Sequence, residues 1–97
     1  VTVSEKTANY TLTASDNGSI LTFDNSSDVT LTIPSGLPVG YNVSVYQIGT
    51  GKVNFAGSGG AAVKNRLLRF KTAGIDAGAG IVCTKPNEFH LTGDLKR

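Results

Sequence analysis

Ninety-seven residues, 39% of them apolar and 16% charged, suffice for one small hydrophobic core and exclude a multidomain machine. Gly, Thr, Ser and Asn fill the shortfall, as in turns and solvated strand faces, and helix formers are scarce, with no Met; the composition reads as all-β. The net charge of +2 is too small for a nucleic-acid binder, and no aromatic residues interleave with the basic ones as a single-strand binder requires.

That small net charge hides a gradient. Residues 1–51 carry Glu5, Asp16, Asp24 and Asp28 against Lys6, whereas residues 52–97 carry eight Lys or Arg against three acids. Cys83 is the single cysteine and His90 the single histidine, so an intrachain disulfide is excluded and a Cys/His zinc site lacks its ligands. No apolar run approaches about 18 residues and no signal peptide is recognisable, so a membrane partner is not expected. Sequons at Asn9, Asn17, Asn25 and Asn42 read as the by-product of an Asn/Ser/Thr-rich β-surface.

Residues 1–9 show no clear pattern and are expected to form an N-terminal arm on a single domain spanning 1–97. "NYTLTA" then places Tyr10 and Leu12 on one face, and "SDNG" turns the chain. "SILTFD" puts Leu21 and Phe23 together and "NSSD" turns again. "VTLTI" alternates without a fault, with Val29, Leu31 and Ile33 inward and Thr30 and Thr32 outward. Pro34 ends that strand because it cannot donate to a ladder. "YNVSVYQI" aligns Tyr41, Val43 and Val45, and "GTG" leads into "KVNFA" with Val53 and Phe55 paired.

The segment "AAVKNRLLRFKTA" (61–73) is ambiguous. Its Ala, Leu, Arg and Lys favour helix, and Val63, Leu67 and Phe70 recur at helical spacing. The strand reading needs a bulge or bend near Leu67–Leu68 to bring Phe70 back inward. Beyond it, "GIVCT" sets Cys83 on the face opposite Val82, as a structural thiol, and "FHLTG" aligns Phe89 with Leu91. These runs amount to about eight short strands at roughly ten-residue spacing, the pattern of a small antiparallel sandwich or a jelly-roll-like barrel. No internal repeat is evident.

The glycine clusters raise the question of phosphate loops. In "YQIGTGKV" the first P-loop glycine position is Tyr46, and the hydroxyl after Lys52 is replaced by Val53. "GSGGAA" (57–62) fits the letters of a dinucleotide loop, but crossover helices are missing and no acid sits near the required spacing. Both clusters are better read as turns, with glycine supplying positive φ. No catalytic residue, cofactor or metal ligand is assigned. The chain is expected not to be an enzyme.

The order "YTL", "DNG", "LTF", "VTLTIP", "LPVG", "QIGTGKVNF" and a closing "GDL" (Tyr10 to Leu95) resembles a β-module found in tail fibres, tailspikes and head-decoration or head-fibre proteins of tailed-phage virions. The resemblance implies a non-enzymatic, commonly trimeric structural domain on the virion surface, contacting capsid or fibre subunits, and strands rather than helix over 61–73. Two readings follow from it. In the first, the domain decorates or cements other virion proteins, with Lys64, Arg66, Arg69 and Lys71 forming a basic strip along a strand that meets an acidic surface. In the second it is a receptor-binding tip for a host-surface glycan, with Tyr41 and Tyr46 as the aromatics available for stacking.

Overall fold

The structure is a computed structural model, and it describes residues 2–97. Val1 lies outside the described residues. Among them are eleven strands and, as helix, only a single 3-10 turn at Ala14–Asp16. Strands β1 (Val3–Lys6), β3 (Ile20–Phe23), β5 (Asn42–Gln47), β9 (Gly78–Lys85), β10 (Glu88–Gly93) and β7 (Ala62–Lys64) form one sheet in that spatial order. The other sheet runs β11 (Leu95–Lys96), β8 (Lys71–Thr72), β6 (Val53–Gly57), β4 (Val29–Ile33) and β2 (Tyr10–Thr11).

From β1 to β8 the chain visits the two sheets alternately. The pairs β1–β3, β3–β5, β2–β4 and β4–β6 are therefore all parallel. A parallel pair needs a crossover of a dozen or more residues, and here a strand of the opposite sheet serves as that crossover. The first 60 residues are thus a solenoid-like stack of coils. This corrects the expected all-antiparallel, jelly-roll-like arrangement: both sheets are mixed, with antiparallel pairing confined to the C-terminal closure. It also corrects the N-terminal arm, because Val3–Lys6 is an edge strand in register with Ile20–Phe23.

The pairings β3–β5 and β4–β6 share a step of 24 residues, whereas β1–β3 and β2–β4 step by 17 and 21. Ile20 lies beside Ser44 and Val29 beside Val53, and in the turn between them Asp28 Oδ1 accepts the N–H of Lys52, 24 residues on. The repeat that sequence reading did not find is therefore spatial. Asparagines stitch the coils together: Asn25 Nδ2 donates to the Thr7 carbonyl at 2.8 Å, Asn9 Oδ1 accepts from Thr30 N at 2.8 Å, and Asn17 Oδ1 accepts from Asn42 N at 3.1 Å. Three of the four sequon asparagines thus act as links between turns, satisfying backbone groups that no ladder reaches.

The alternation read from the sequence holds residue by residue. Leu21, Phe23, Val29, Leu31, Ile33, Val43, Val45, Val53, Phe55, Phe89 and Leu91 all face one shared core between the sheets. Each such side chain contributes about 1.5–3 kcal/mol by leaving water. Cys83 is buried, with Sγ 3.1 Å from the Lys85 carbonyl, while Val82 is exposed.

The core also holds one polar bridge between the sheets. Thr72 Oγ1 on β8 accepts the Val53 N–H at 2.9 Å and donates to Gln47 Oε1 on β5, and Gln47 Nε2 donates to the Gly49 carbonyl at 2.9 Å. Gln47 and Thr72 are fully buried. Their cost is offset because every group has a partner.

The two glycine clusters differ in purpose. Gly59 and Gly60 have φ of 61° and 93°, as a tight turn requires. Gly49 and Gly51 do not adopt positive φ. A Cβ on Gly51 would sit 1.9 Å from the Ser27 carbonyl oxygen, and one on Gly49 would sit 2.5 Å from that of Asn25. Here glycine serves close stacking of one coil's turn on the previous one, not a hairpin dihedral.

Candidate functional site

The segment 61–73 carries four of the nine Lys and Arg residues and resolves as strand, turn, strand. In β7 Val63 packs against the core and Lys64 pairs in register with His90. Asn65 then ends the strand. Its Nδ2 donates to the Leu91 carbonyl at 2.9 Å, its Oδ1 accepts from Leu67 N and Arg69 N, each at 2.9 Å, and its carbonyl accepts from Leu68 N at 3.1 Å. One asparagine therefore clamps the whole turn to β10, an Asx-type geometry competing with the ladder. The bend expected near Leu67–Leu68 is present: Leu68 has φ 57°. Phe70 returns to the core, its carbonyl accepting the Phe55 N–H at 2.8 Å, and β8 follows on the opposite sheet.

This geometry breaks up the basic strip. Lys64 lies on one sheet and Lys71 on the other. Lys64 Nζ is 2.7 Å from Glu88 Oε1, and that ammonium holds the Glu88 carboxyl below its ordinary range. Arg66 and Arg69 are exposed on the turn. Lys71, half-buried, joins the outer row Thr30, Asn54, Lys71, Lys96 of the second sheet. The four residues surround a corner where the chain passes between sheets; they do not line one strand face, because Asn65 removed the period-two register on which that expectation rested.

At the same corner an open cavity of about 340 Å3 is lined by Asn54, Phe55, Leu68, Phe70, Lys71 and Arg97. Leu68 is 67% exposed and Leu67 48%. Sequence reading missed this cavity, although the doublet Leu67–Leu68 between two arginines, in phase with neither strand alternation nor a core face, was its visible signal.

The tyrosines separate. Tyr41 is fully buried, its hydroxyl donating to the Thr13 carbonyl at 2.6 Å, and burial pushes its phenol well above the ordinary value. It presents no surface for stacking. Tyr46 is 43% exposed on the outer face of the first sheet, its ring against Gly78, where a Cβ would come within 2.7 Å of it.

The densest polar constellation closes the N-terminal end of the stack. Asp16 Oδ2 accepts from Tyr10 Oη at 2.7 Å, Thr13 N at 2.9 Å and Thr13 Oγ1 at 3.1 Å, and Lys6 Nζ lies 4.0 Å from the Tyr10 ring centre. Burial alone would raise the Asp16 carboxyl, but the Tyr10 and Thr13 hydrogen bonds, helped by the Lys6 charge, hold it below its ordinary value. The hydrogen bond to Asp16, with burial, pushes the Tyr10 phenol up. Each group is already committed to a neighbour, as befits a cap joining β1, β2 and the 3-10 turn. No buried side-chain nitrogen or oxygen among the described residues lacks a partner, and no group of three or more His, Cys, Asp or Glu there could hold a metal ion.

Comparison of the chain with protein-family models, with curated proteins and with solved structures found no match.

Proposed function

We propose that the chain is a non-enzymatic structural module of a tailed-phage virion surface, decorating or cementing the capsid or forming part of a fibre. The observation that supports docking is the clamped corner. Asn65 fixes a turn that presents Arg66, Arg69 and two exposed leucines beside Lys71, a rigid cationic and apolar surface of the kind that partners recognise. The order of motifs from Tyr10 to Leu95 supports the virion assignment. On this reading the partner is an acidic patch on another virion protein, and the module works as a trimer. A second reading, recognition of a host-surface glycan, rests on Tyr46 alone.

The test is attachment. Purified protein is added to virions grown without it, and bound protein is measured after gradient sedimentation. The wild type is expected to bind, and to bind less as salt is raised. Changing Lys64, Arg66, Arg69 and Lys71 together to Ser should weaken binding at least about tenfold, the effect of losing roughly 1.4 kcal/mol. Absence of the protein from mature virions overturns the assignment. Loss of binding in Tyr46→Ala, with the four-residue variant unaffected, transfers it to the glycan reading.

A further inference from the structure

We propose that the cavity beneath the Asn65-clamped turn is a binding site for a partner protein's acidic–apolar peptide segment, with one aromatic or leucine-sized side chain entering between Phe55, Phe70 and Leu68 and flanking carboxylates meeting Lys71 and Arg97. This rests on the docking reading above and names the chemistry of the partner.

Three features of the corner converge on that ligand. The first is an apolar floor with an exposed wall. Phe55 and Phe70 pack onto the core, yet Leu68 stands 67% exposed in left-handed backbone. Large side chains avoid both conditions, and the Asn65 clamp prevents the turn from relaxing to bury Leu68. An apolar side chain held exposed at the mouth of a cavity is where contact with another apolar group removes area from water. An entering apolar side chain covers Leu68 without moving the turn.

The second feature is charge. Among the described residues the one ion pair is Lys64–Glu88, so Lys71 and Arg97 at the cavity form no ion pair with a carboxylate of those residues. They lie on the cationic half of the molecule, where a negative segment is steered in.

The third is a backbone acceptor. Asn54 commits its Nδ2 to the Val29 carbonyl at 3.2 Å, and no donor among the described residues takes its Oδ1. That oxygen can accept a peptide N–H, which neither a fatty acid nor a nucleic-acid phosphate offers. At about 340 Å3 the cavity is at the small end for ligand sites, matching one side chain and not a cofactor. Nucleic acid is further disfavoured because the aromatic rings lie in the floor, leaving none raised for base stacking.

The experiment is a titration of the full isotope-labelled chain with acetyl-Glu-Phe-Glu-amide, followed by backbone amide NMR. Saturable shifts are expected at Asn54, Phe55, Leu68, Phe70 and Lys71. Lys71→Gln combined with Arg97→Gln should weaken binding about tenfold, in line with the loss of two favourable charge contacts; Leu68→Asp should abolish it, with amide shifts elsewhere unchanged as proof of folding. Acetyl-Glu-Gly-Glu-amide should bind no more than weakly. The proposal is overturned by an absence of saturable shifts at these residues, by equal binding of acetyl-Lys-Phe-Lys-amide, or by tighter binding of a short oligothymidylate. Peptide binding with virion attachment unaffected in the Lys71→Gln, Arg97→Gln variant would leave this site standing and remove the virion reading from it. Attachment lost in that variant without peptide binding would do the reverse.

Discussion

The stack of coils up to residue 60 and the closure that follows it solve the same packing problem by opposite means. In the stack, turn lies on turn at backbone contact distance. Asparagine side chains reach from one coil to the next, and the five positive-φ residues are all glycine. In the closure, antiparallel pairs, the parallel pair β7–β10 and irregular turns cover the last coil, and all three non-glycine residues with positive φ (Leu68, Asp76 and Asn87) are found there. The closure also carries most of the positive charge. Regularity and tolerance are therefore divided: the first half has little slack, and the second holds the strained non-glycine positions and the exposed Leu67–Leu68 turn.

The sharpest break of that contrast is Gly51→Ala. Its Cβ would overlap the Ser27 carbonyl, so two coils must part, and a loss of about 3 kcal/mol or more is expected in urea unfolding. Gly74→Ala, in the closure, meets nothing within 4 Å and lacks positive φ; it should be neutral or stabilise by up to about 1 kcal/mol through the unfolded chain. Equal losses at both sites would end the distinction.

Next comes Thr72→Val, which tests the bond between the halves. It strips the Val53 N–H and Gln47 Oε1 of their shared partner inside the core, and about 2–3 kcal/mol should be lost, with little change in side-chain volume to confuse the result.

Asp16→Asn probes the free end of the stack. The folded carboxyl titrates below its ordinary value of 3.8, so its contribution is fully present above that value and disappears as pH falls through the folded one. The variant should lose about 1–2 kcal/mol at neutral pH, and its stability should fall less steeply than the wild type's below about pH 4. Parallel curves for the two proteins would show that the Tyr10 and Thr13 bonds do not favour the ionised form.

The smallest effect runs the other way. Leu68→Gly should stabilise the fold by about 1 kcal/mol, since glycine adopts φ 57° without the Cβ penalty, seen as a modest rise in the urea midpoint. A loss instead would mean that Leu68 packs in the free protein.

How much of this was legible follows from what alternation encodes. Period-two patterning names the inward face of each strand, and the core residues it nominated from Leu21 to Phe55, with Phe89 and Leu91, are buried, whereas Val63 and Phe70 are partly buried and Leu67 is exposed. It is silent on the partner strand, because Leu31 faces inward equally well beside an antiparallel or a parallel neighbour. The repeat was hidden for a related reason. Leu21 over Val45, Val29 over Val53 and Leu31 over Phe55 share only apolar character, and where the backbones touch, Asn25 and Ser27 are answered by glycine. The basic residues Lys64 to Lys71 were expected along one strand face and are not: a single Asn65, binding Leu67, Arg69 and β10, overrode the strand periodicity assumed for them.

The 24-residue step shared by β3–β5 and β4–β6 makes the length of this molecule a quantised variable. A second copy of residues 20–43 inserted after position 43 would extend the stack by one storey, with the Asp16 cap and the C-terminal closure meeting the same neighbours as before. Inserting a single residue in β4 would instead rotate every following side chain of that strand to the wrong side. Such a scaffold lengthens by duplication of whole storeys more readily than by gradual accretion, and it offers engineers a rigid spacer graduated in units of one strand spacing.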